Sequence, residues 1–354
     1  MTKQKVLLDL TNLKNPNCGF GQIAINYATQ FGKLELEDIS FVFLIPENYN
    51  GIIEGNAEIV RYTKQMRHDK KLLPKVNLWH AVNQNQKVNT NEDNTKVVLT
   101  IHDLNYLTEK QWYSRIKHDF ILKNRIKRAD AVTAISGFVA RQMEERFKKT
   151  LKQKHVEVIY DAVEWIAGKP QEKPAFADQK PFFFTIGQIR MKKNFHLLLD
   201  VMKQFPEHNL YICGDDHFEA GKLIASRIEK EKINNVKLTG KISEQEKVWL
   251  YQHAEAFLFP SQGEGFGLPV IEAMQFGKPV LVSNYTCLPE ITAGHAFVWK
   301  DLTTQTMADG IRQYLDEFKQ NPNIKEQMRK HALSFNYENH VNEYITLYRK
   351  LLNS

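Results

Sequence analysis

The sequence predicts an α/β chain of two doubly wound halves, and three observations carry that expectation. Short apolar runs alternate with helical stretches, the pattern of a parallel sheet covered on both faces. The alternation stops at "EWIAGKPQEKPAFADQK", where periodicity is lost and two Lys-Pro pairs fall among scattered charges, and it restarts afterwards. The chain of 354 residues is long for a single core and suits two domains of ordinary size.

In order, "KVLLDL" reads as a short buried strand, followed by the loop "TNLKNPNCGFG" and a helical stretch from Gln22. "ISFVFLIP", "NLWHAV" and "KVVLTIHDL" are further strands, with "VNQNQKVNTNEDN" as a polar surface loop. "SRIKHDFILKNRIKRA" is helical, "DAVTAIS" a strand, "GFVARQMEERFKK" a helix, and "HVEVIYDAV" closes the first half. After the linker, "PFFFTIG", "NLYICG", "NVKLTGKI", "AEAFLFP" and "KPVLVS" read as strands. "NFHLLLDVMKQF" and "AGKLIASRIEKEK" are helices among them. The expected boundaries are 1–165 for the first domain, 166–180 for the linker and 181–335 for the second domain. In such pairs ligands sit at the carboxyl ends of strands, here facing an interdomain cleft.

Composition narrows the class. Apolar residues make up 42% and charged residues 25%, which is globular and not disordered. Asp9 interrupts the first apolar run, too early for a signal peptide, and no later run approaches spanning length, so a cytoplasmic location is expected. Cys18, Cys213 and Cys287 are odd in number and show no metal or redox spacing, which fits free thiols in a reducing compartment. A net charge of +7 permits an anionic small molecule, an anionic membrane or nucleic acid without choosing among them. No nucleic-acid motif accompanies it.

The stretch "FPSQGEGFGLPVIEAMQFGKPVLVS" is the chemically informative one. Gly263, Gly265 and Gly267 let the backbone bend close to a ligand, and Pro269 suits the first turn of a helix that ends at Gly277. A helix start of this kind invites an anion. Glu264 and Glu272, eight positions apart, would repel one. On spacing alone Glu272 complements a helix dipole and Glu264 is a solvated loop charge. Downstream of "PFFFTIG", "GQIRMKKN" puts Arg190, Lys192 and Lys193 at a strand's carboxyl end, either as a solvated basic turn or as a phosphate site.

The whole stretch "PSQGEGFGLPVIEAMQFGKPVLVSNYTCLPEI", with the upstream "VKLTGKISEQEKVWLYQHAEAFLFP", resembles the two-glutamate motif of the retaining nucleotide-sugar glycosyltransferases of the GT-B fold. The similarity is clear over about residues 180–295 and weaker elsewhere. The resemblance implies a GT-B architecture of two Rossmann-like domains, with a C-terminal helix at about 336–354 crossing back onto the first. It implies that a diphosphate rests on N–H groups of the bend Gly265, Phe266, Gly267 and Leu268, with Lys193 as its cation. Glu272 then takes the ribose hydroxyls, and Glu264 faces the sugar as the anomeric carbon becomes cationic. Backbone groups near Lys241 and Ile242 read the base. Many relatives carry arginine directly after the glycine where this chain has Gln188, so Arg190 stands in from two residues on.

From the first half, Gly19 and Gly21 match the family's glycine loop, and His102 matches a histidine beside the donor sugar. His80 in "LWHAV" is either an acceptor contact or a structural residue. Asp161-Ala162 replaces a frequent Asn-Gly and reads as a turn variation.

The implied activity is hexosyl transfer, of mannose or glucose type, from a nucleoside-diphosphate sugar to a saccharide or lipid-linked saccharide. Cell-surface polysaccharide or lipopolysaccharide assembly is the implied setting. The implied mechanism is a front-face one that needs no cofactor and no metal. Asp215-Asp216 reads as a loop and not as a metal site. The basic, aromatic "KQWYSRIKHDFILKNRIKRAD" is either a solvated helix face or a peripheral contact with an anionic membrane. An epimerase or phosphorylase on the same fold, and a non-catalytic sugar-nucleotide binder, are the competing functions. Turnover without acceptor marks the first, cofactor absorbance the second and absence of donor hydrolysis the third.

Overall fold

A computed structural model of the chain describes residues 3–15, 19–86, 94–152 and 154–354. Cys18, residues 16–17 and residues 87–93 of the Asn-rich stretch lie outside the described residues. The chain divides into two compact units, Met1–Tyr160 with Tyr337–Ser354, and Asp161–Asn336.

The first unit is built on β1 (Gln4–Asp9), β2 (Ile39–Pro46), β3 (Glu58–Tyr62), β4 (Leu78–Ala81), β5 (Lys96–Ile101), β6 (Ala131–Ala134) and β7 (Val156–Val158). Their spatial order is β3-β2-β1-β4-β5-β6-β7, every pair parallel. Val, Leu and Phe fill the central strands because both faces are covered. One face packs Leu7, Trp79, Leu99 and Val132 under the helices Trp112–Arg128 and Gly137–Leu151. The other packs Val6, Leu8 and Phe43 under the helix Gly19–Gly32 and the C-terminal helix Tyr337–Leu352. β3 escaped the sequence reading: "EIVRY" is a partly exposed edge strand with no apolar run.

The second unit holds β8 (Phe182–Ile186), β9 (Asn209–Cys213), β10 (Val236–Gly240), β11 (Ala256–Phe259), β12 (Val280–Ser283) and β13 (Phe297–Trp299), in the order β10-β9-β8-β11-β12-β13. All of these pairs are parallel too. β13, three residues long, is too short to show as an apolar run in the sequence. In each sheet the order reverses beside its first strand, between β1 and β4 and between β8 and β11. Such switch points open a crevice at the strands' carboxyl ends.

Residues 166–180, expected as a linker, are bound to the second unit. The Ile166 N–H donates to Gln275 Oε1 at 2.8 Å and the Glu172 N–H to the Gln245 carbonyl at 3.2 Å. Phe176 lies edge-on to Tyr211, with ring centroids 5.2 Å apart, and its carbonyl accepts from Lys237 at 2.9 Å. Lost periodicity marked an irregular segment correctly, but these side chains anchor it. The division between units falls at Tyr160/Asp161 and not at 165/166.

Candidate active site

The second unit's switch point is stitched from two loops. After β8 the chain makes a 3₁₀ turn at Met191–Lys193, turns left-handed at Asn194 (φ 56°), and makes a second turn at Phe195–Leu197 before the short helix Leu198–Met202. The expected single helix is therefore broken at its start. Asn194 Nδ2 donates to the Pro260 carbonyl at 3.1 Å, and its Oδ1 accepts from Gln262 at 2.9 Å. The Gln262 N–H reaches the Lys192 carbonyl at 2.9 Å. This lacing of the β8 and β11 loops brings Lys193 Nζ to 2.5 Å from Glu264 Oε1, each side chain only 12% exposed. The Lys193 ammonium also lies 5.1 Å from the Phe259 ring centroid.

The glycine bend is held from β12 and the segment after it. The Glu264 N–H donates to Thr286 Oγ1 at 3.4 Å, and the Cys287 thiol donates to the Phe266 carbonyl at 3.1 Å. Burial pushes the Cys287 pKa well above its ordinary value, so the sulfur keeps its proton and serves as a donor. Gly267 is left-handed (φ 100°) and caps the helix Leu268–Gln275, which has no side-chain cap at its start and Pro269 in its first turn. Phe266 is buried against Phe335, whose ring centroid is 5.4 Å away.

One turn into that helix, Glu272 is gripped on both oxygens. Tyr251 O–H donates to Oε2 at 3.0 Å, and Lys247 Nζ stands 3.3 Å from Oε1. Tyr251 is pushed well above its ordinary pKa by burial and then by the Glu272 charge, so it stays a donor. Burial pulls Lys247 down, but Glu272 and Glu244 outweigh it and hold the ammonium above its usual value. A carboxylate has about four lone-pair sites, so Glu272 keeps acceptor capacity while its orientation is set.

Arg190 is turned elsewhere: its guanidinium lies 4.1 Å over the Phe218 ring and its Nε donates to Gln188 at 3.2 Å. Ile242 is half-buried in the loop between β10 and the helix Glu244–His253, whose start is closed by a Ser243/Glu246 capping box. Asp215 follows β9 as loop, accepting from His217 and pairing with Lys241 at 3.5 Å. Among the described residues no group of three or more His, Cys, Asp or Glu is placed to hold a metal ion.

In the first unit, Asp9 ends β1 at the other switch point. Its Oδ1 accepts from Thr11 O–H at 2.6 Å, the Thr11 N–H at 3.1 Å and Gln86 Nε2 at 3.1 Å. Burial lifts its carboxyl to about 6 against the pull of those Thr11 bonds. Just past β4, Asn83 Nδ2 is buried without a hydrogen-bond partner among the described residues. His102, directly after β5, has Nε2 2.8 Å from the Val82 carbonyl, which only accepts, so that nitrogen carries the proton. Phe20 packs edge-on to the His102 ring, with centroids 5.2 Å apart. The helix already begins at Gly19, so Gly19 and Gly21 form its first turn and not a loop before Gln22. Gly19, Gly21 and His102 thus come together through Phe20.

His80 is a core residue. It is fully buried, with Nδ1 2.6 Å from Tyr348 O–H and Nε2 2.7 Å from Thr100 Oγ1, and burial holds its pKa well below 6.5. That geometry is the structural one of its two expected roles, since both ring nitrogens are spent inside the unit.

Lys247, Tyr251, Thr286, Cys287, Asp9 and Asn83 carry no site role in the sequence analysis. Four of them lie in the motif or its flanks, "EKVWLYQ" and "NYTCLPE", where a polar residue beside a buried run was the available signal.

Residues 167–331 match the model of the family described as "Glycosyl transferases group 1". The chain is 25% identical over 243 residues to the serotype-specific mannosyltransferase WbdA of Escherichia coli, covering 62% of this chain and 30% of that longer protein. It is 22% identical over 381 residues to O-antigen chain mannosyltransferase B of Escherichia coli, covering 98% and 100% of the two chains. Among solved structures, sucrose-phosphate synthase from Thermosynechococcus elongatus aligns with a TM-score of 0.74 at 18% identity, over 99% and 100% of the chains. That likeness, with the two parallel sheets, shows a two-domain, Rossmann-like GT-B fold.

Proposed function

We propose, from the match of residues 167–331 to the group 1 glycosyltransferase family, that this chain is a retaining hexosyltransferase using a nucleoside-diphosphate sugar. The observation that carries the reading is the Lys193–Glu264 pair at the second switch point, with the helix start at Leu268 that no side chain caps and the gripped Glu272 beyond it. A lysine there neutralises a departing diphosphate, and the helix start adds a preorganised positive end. In the reaction the anomeric C–O bond to the diphosphate breaks. The acceptor hydroxyl bonds to the same face of the sugar, and its proton passes to the diphosphate oxygen. Glu264 steadies the sugar while its anomeric carbon is cationic, Glu272 takes the ribose hydroxyls, and backbone at Ile242 meets the base.

Arg190, stacked on Phe218, serves as an outer phosphate contact from the same loop. The first unit offers His102 and the helix start at Gly19 and Gly21 as its own candidate substrate contacts. The named activities of WbdA and mannosyltransferase B support mannose as the sugar and an O-chain or related surface polysaccharide as the product. The acceptor is a saccharide or lipid-linked saccharide, and the enzyme acts peripherally at an anionic membrane face. No divalent metal takes part, so activity is expected to survive excess chelator.

The test is a thermal-shift panel of GDP, UDP, ADP and their common sugars on the wild type and on Glu272→Ala. A ligand at about a hundred times its Kd stabilises by about 2.7 kcal/mol. One base is expected to raise the melting temperature selectively, and Glu272→Ala to lose most of that shift. No shift with any nucleotide, or an equal one in the variant, would sink the reading.

A further inference from the structure

The helix Trp112–Arg128 carries its charges and apolar groups against the usual arrangement of a surface helix. Its inward face buries Leu122 and Ile126, but also Asp119, the helix's one acidic residue. Asp119 accepts from Tyr106 O–H at 2.6 Å and pairs with Arg146 at 2.5 Å. Its charge is therefore spent inside the unit. Outward stand Trp112, Tyr113, Ile116 and Phe120, exposed by 70%, 63%, 59% and 65%. Trp112, Ile116 and Phe120 fall four apart and form one stripe along successive turns. Single exposed apolar residues are ordinary, but four on adjacent turns form a contiguous patch of the kind that marks an interaction surface. The stripe continues into Lys123 and Lys127, both exposed, with exposed Lys117 beside it.

Charge decides what that patch fits. The outward face presents aromatic rings and ammonium groups with no acid among them, which matches a surface that is apolar beneath and anionic on top. An acidic bilayer interface has that layering. Trp and Tyr rings sit at headgroup depth, and lysine stems lie over apolar surface while their charges reach phosphates. Among the described residues no helix is long and apolar enough to cross a membrane, so the contact is one that lies along the interface.

We propose that the outward face of Trp112–Arg128 docks the protein on an anionic lipid bilayer, with the Trp112–Phe120 stripe at the headgroup boundary and the three lysines on the lipid phosphates. This names the surface for the peripheral membrane contact of the functional reading. It makes no use of the donor site, so the two fail separately.

Co-sedimentation of the full chain with vesicles tests it, using phosphatidylcholine alone and phosphatidylcholine with phosphatidylglycerol as a minor component. The wild type is expected on the anionic vesicles and much less on the neutral ones. Binding should weaken toward about 1 M salt, where the screening length falls to about 3 Å. Trp112→Ser with Phe120→Ser should weaken binding at least roughly tenfold. Lys117→Gln, Lys123→Gln and Lys127→Gln should remove the lipid preference, at roughly fivefold per lysine. All five positions are exposed, so melting temperature and the nucleotide-dependent thermal shift should stay at wild-type values and report intact folding. Wild-type protein that ignores both vesicles, or variants that bind as well as it does, would overturn the proposal. So would a serine pair that leaves vesicle binding intact and turns a dimer into a monomer, since a second copy would then cover the stripe.

Discussion

At the scale of single residues, both switch points place charge where burial makes it consequential. Lys193 and Glu264 neutralise each other at 2.5 Å. A diphosphate would bring negative charge to the same ammonium and compete with Glu264 for it, leaving the carboxylate to serve the sugar. Asp9 is the opposite case, a buried carboxyl held by Thr11 and Gln86 and lifted to about 6 by desolvation. Because its folded pKa lies above the ordinary 3.8, the folded state holds the proton longer than the unfolded chain does. Its contribution to stability is complete below pH 3.8 and is lost as the pH rises through about 6. The shift corresponds to at most about 3 kcal/mol. Asp9→Asn keeps an oxygen to accept from Thr11 and Gln86 but does not ionise. Denaturant melts at about pH 5 and about pH 8 should show a smaller drop for Asp9→Asn than for the wild type. Parallel pH profiles would show that Asp9 is not held near 6 by burial.

At the scale of elements, the helix Leu268–Gln275 depends on how the chain enters it. Gly267 adopts φ 100°, and a Cβ there would stand 2.9 Å from Leu288 Cδ2. Gly294 also has positive φ (79°) but nothing within 4 Å of a Cβ. Gly267→Ala should therefore cost on the order of 1–2 kcal/mol in urea melts, and Gly294→Ala less. Equal costs would mean that only backbone strain matters and that Leu288 yields freely. This glycine was legible in sequence because local geometry demands it, as were Pro269 and the strand–helix alternation, whereas the two glutamates gained a site role only through the family resemblance. What escaped was non-local. Lys193 and Glu264 are 71 positions apart, and their pairing depends on Asn194 and Gln262 lacing two loops. The order of strands, hence the switch point where Asp9 and Asn83 stand, follows from pairings that no local period encodes. β3 and β13 were lost because one is half polar and the other three residues long. The linker reading failed for a similar reason, since Ile166 and Phe176 find their partners on distant elements.

At the scale of the whole chain, the last helix belongs to the unit it does not adjoin in sequence. Tyr337–Leu352 follows the second unit directly, yet it packs Val341, Tyr344, Ile345, Leu347 and Tyr348 into the first unit's core. Its polar groups are matched there as well. Tyr348 meets His80, Tyr344 O–H lies 2.9 Å from Thr100 Oγ1, His340 reaches Tyr27 O–H at 2.9 Å, and Arg349 pairs with Asp38 at 2.7 Å. Five buried apolar side chains at roughly 1.5–3 kcal/mol each match the whole stability of a typical domain, about 5–15 kcal/mol. Removal would also take Tyr348 from His80 and Tyr344 from Thr100 and open both to water. A chain ending at Asn336 should therefore lose the first unit's fold and keep the second's. Limited proteolysis with mass spectrometry should then digest the residues before Tyr160 and leave a resistant fragment beginning near Asp161, which still shows the nucleotide-dependent thermal shift. The intact chain should protect both units. If the truncated chain protects both equally well, the first sheet is stable without its returning helix, and the buried network around His80 contributes little to holding it.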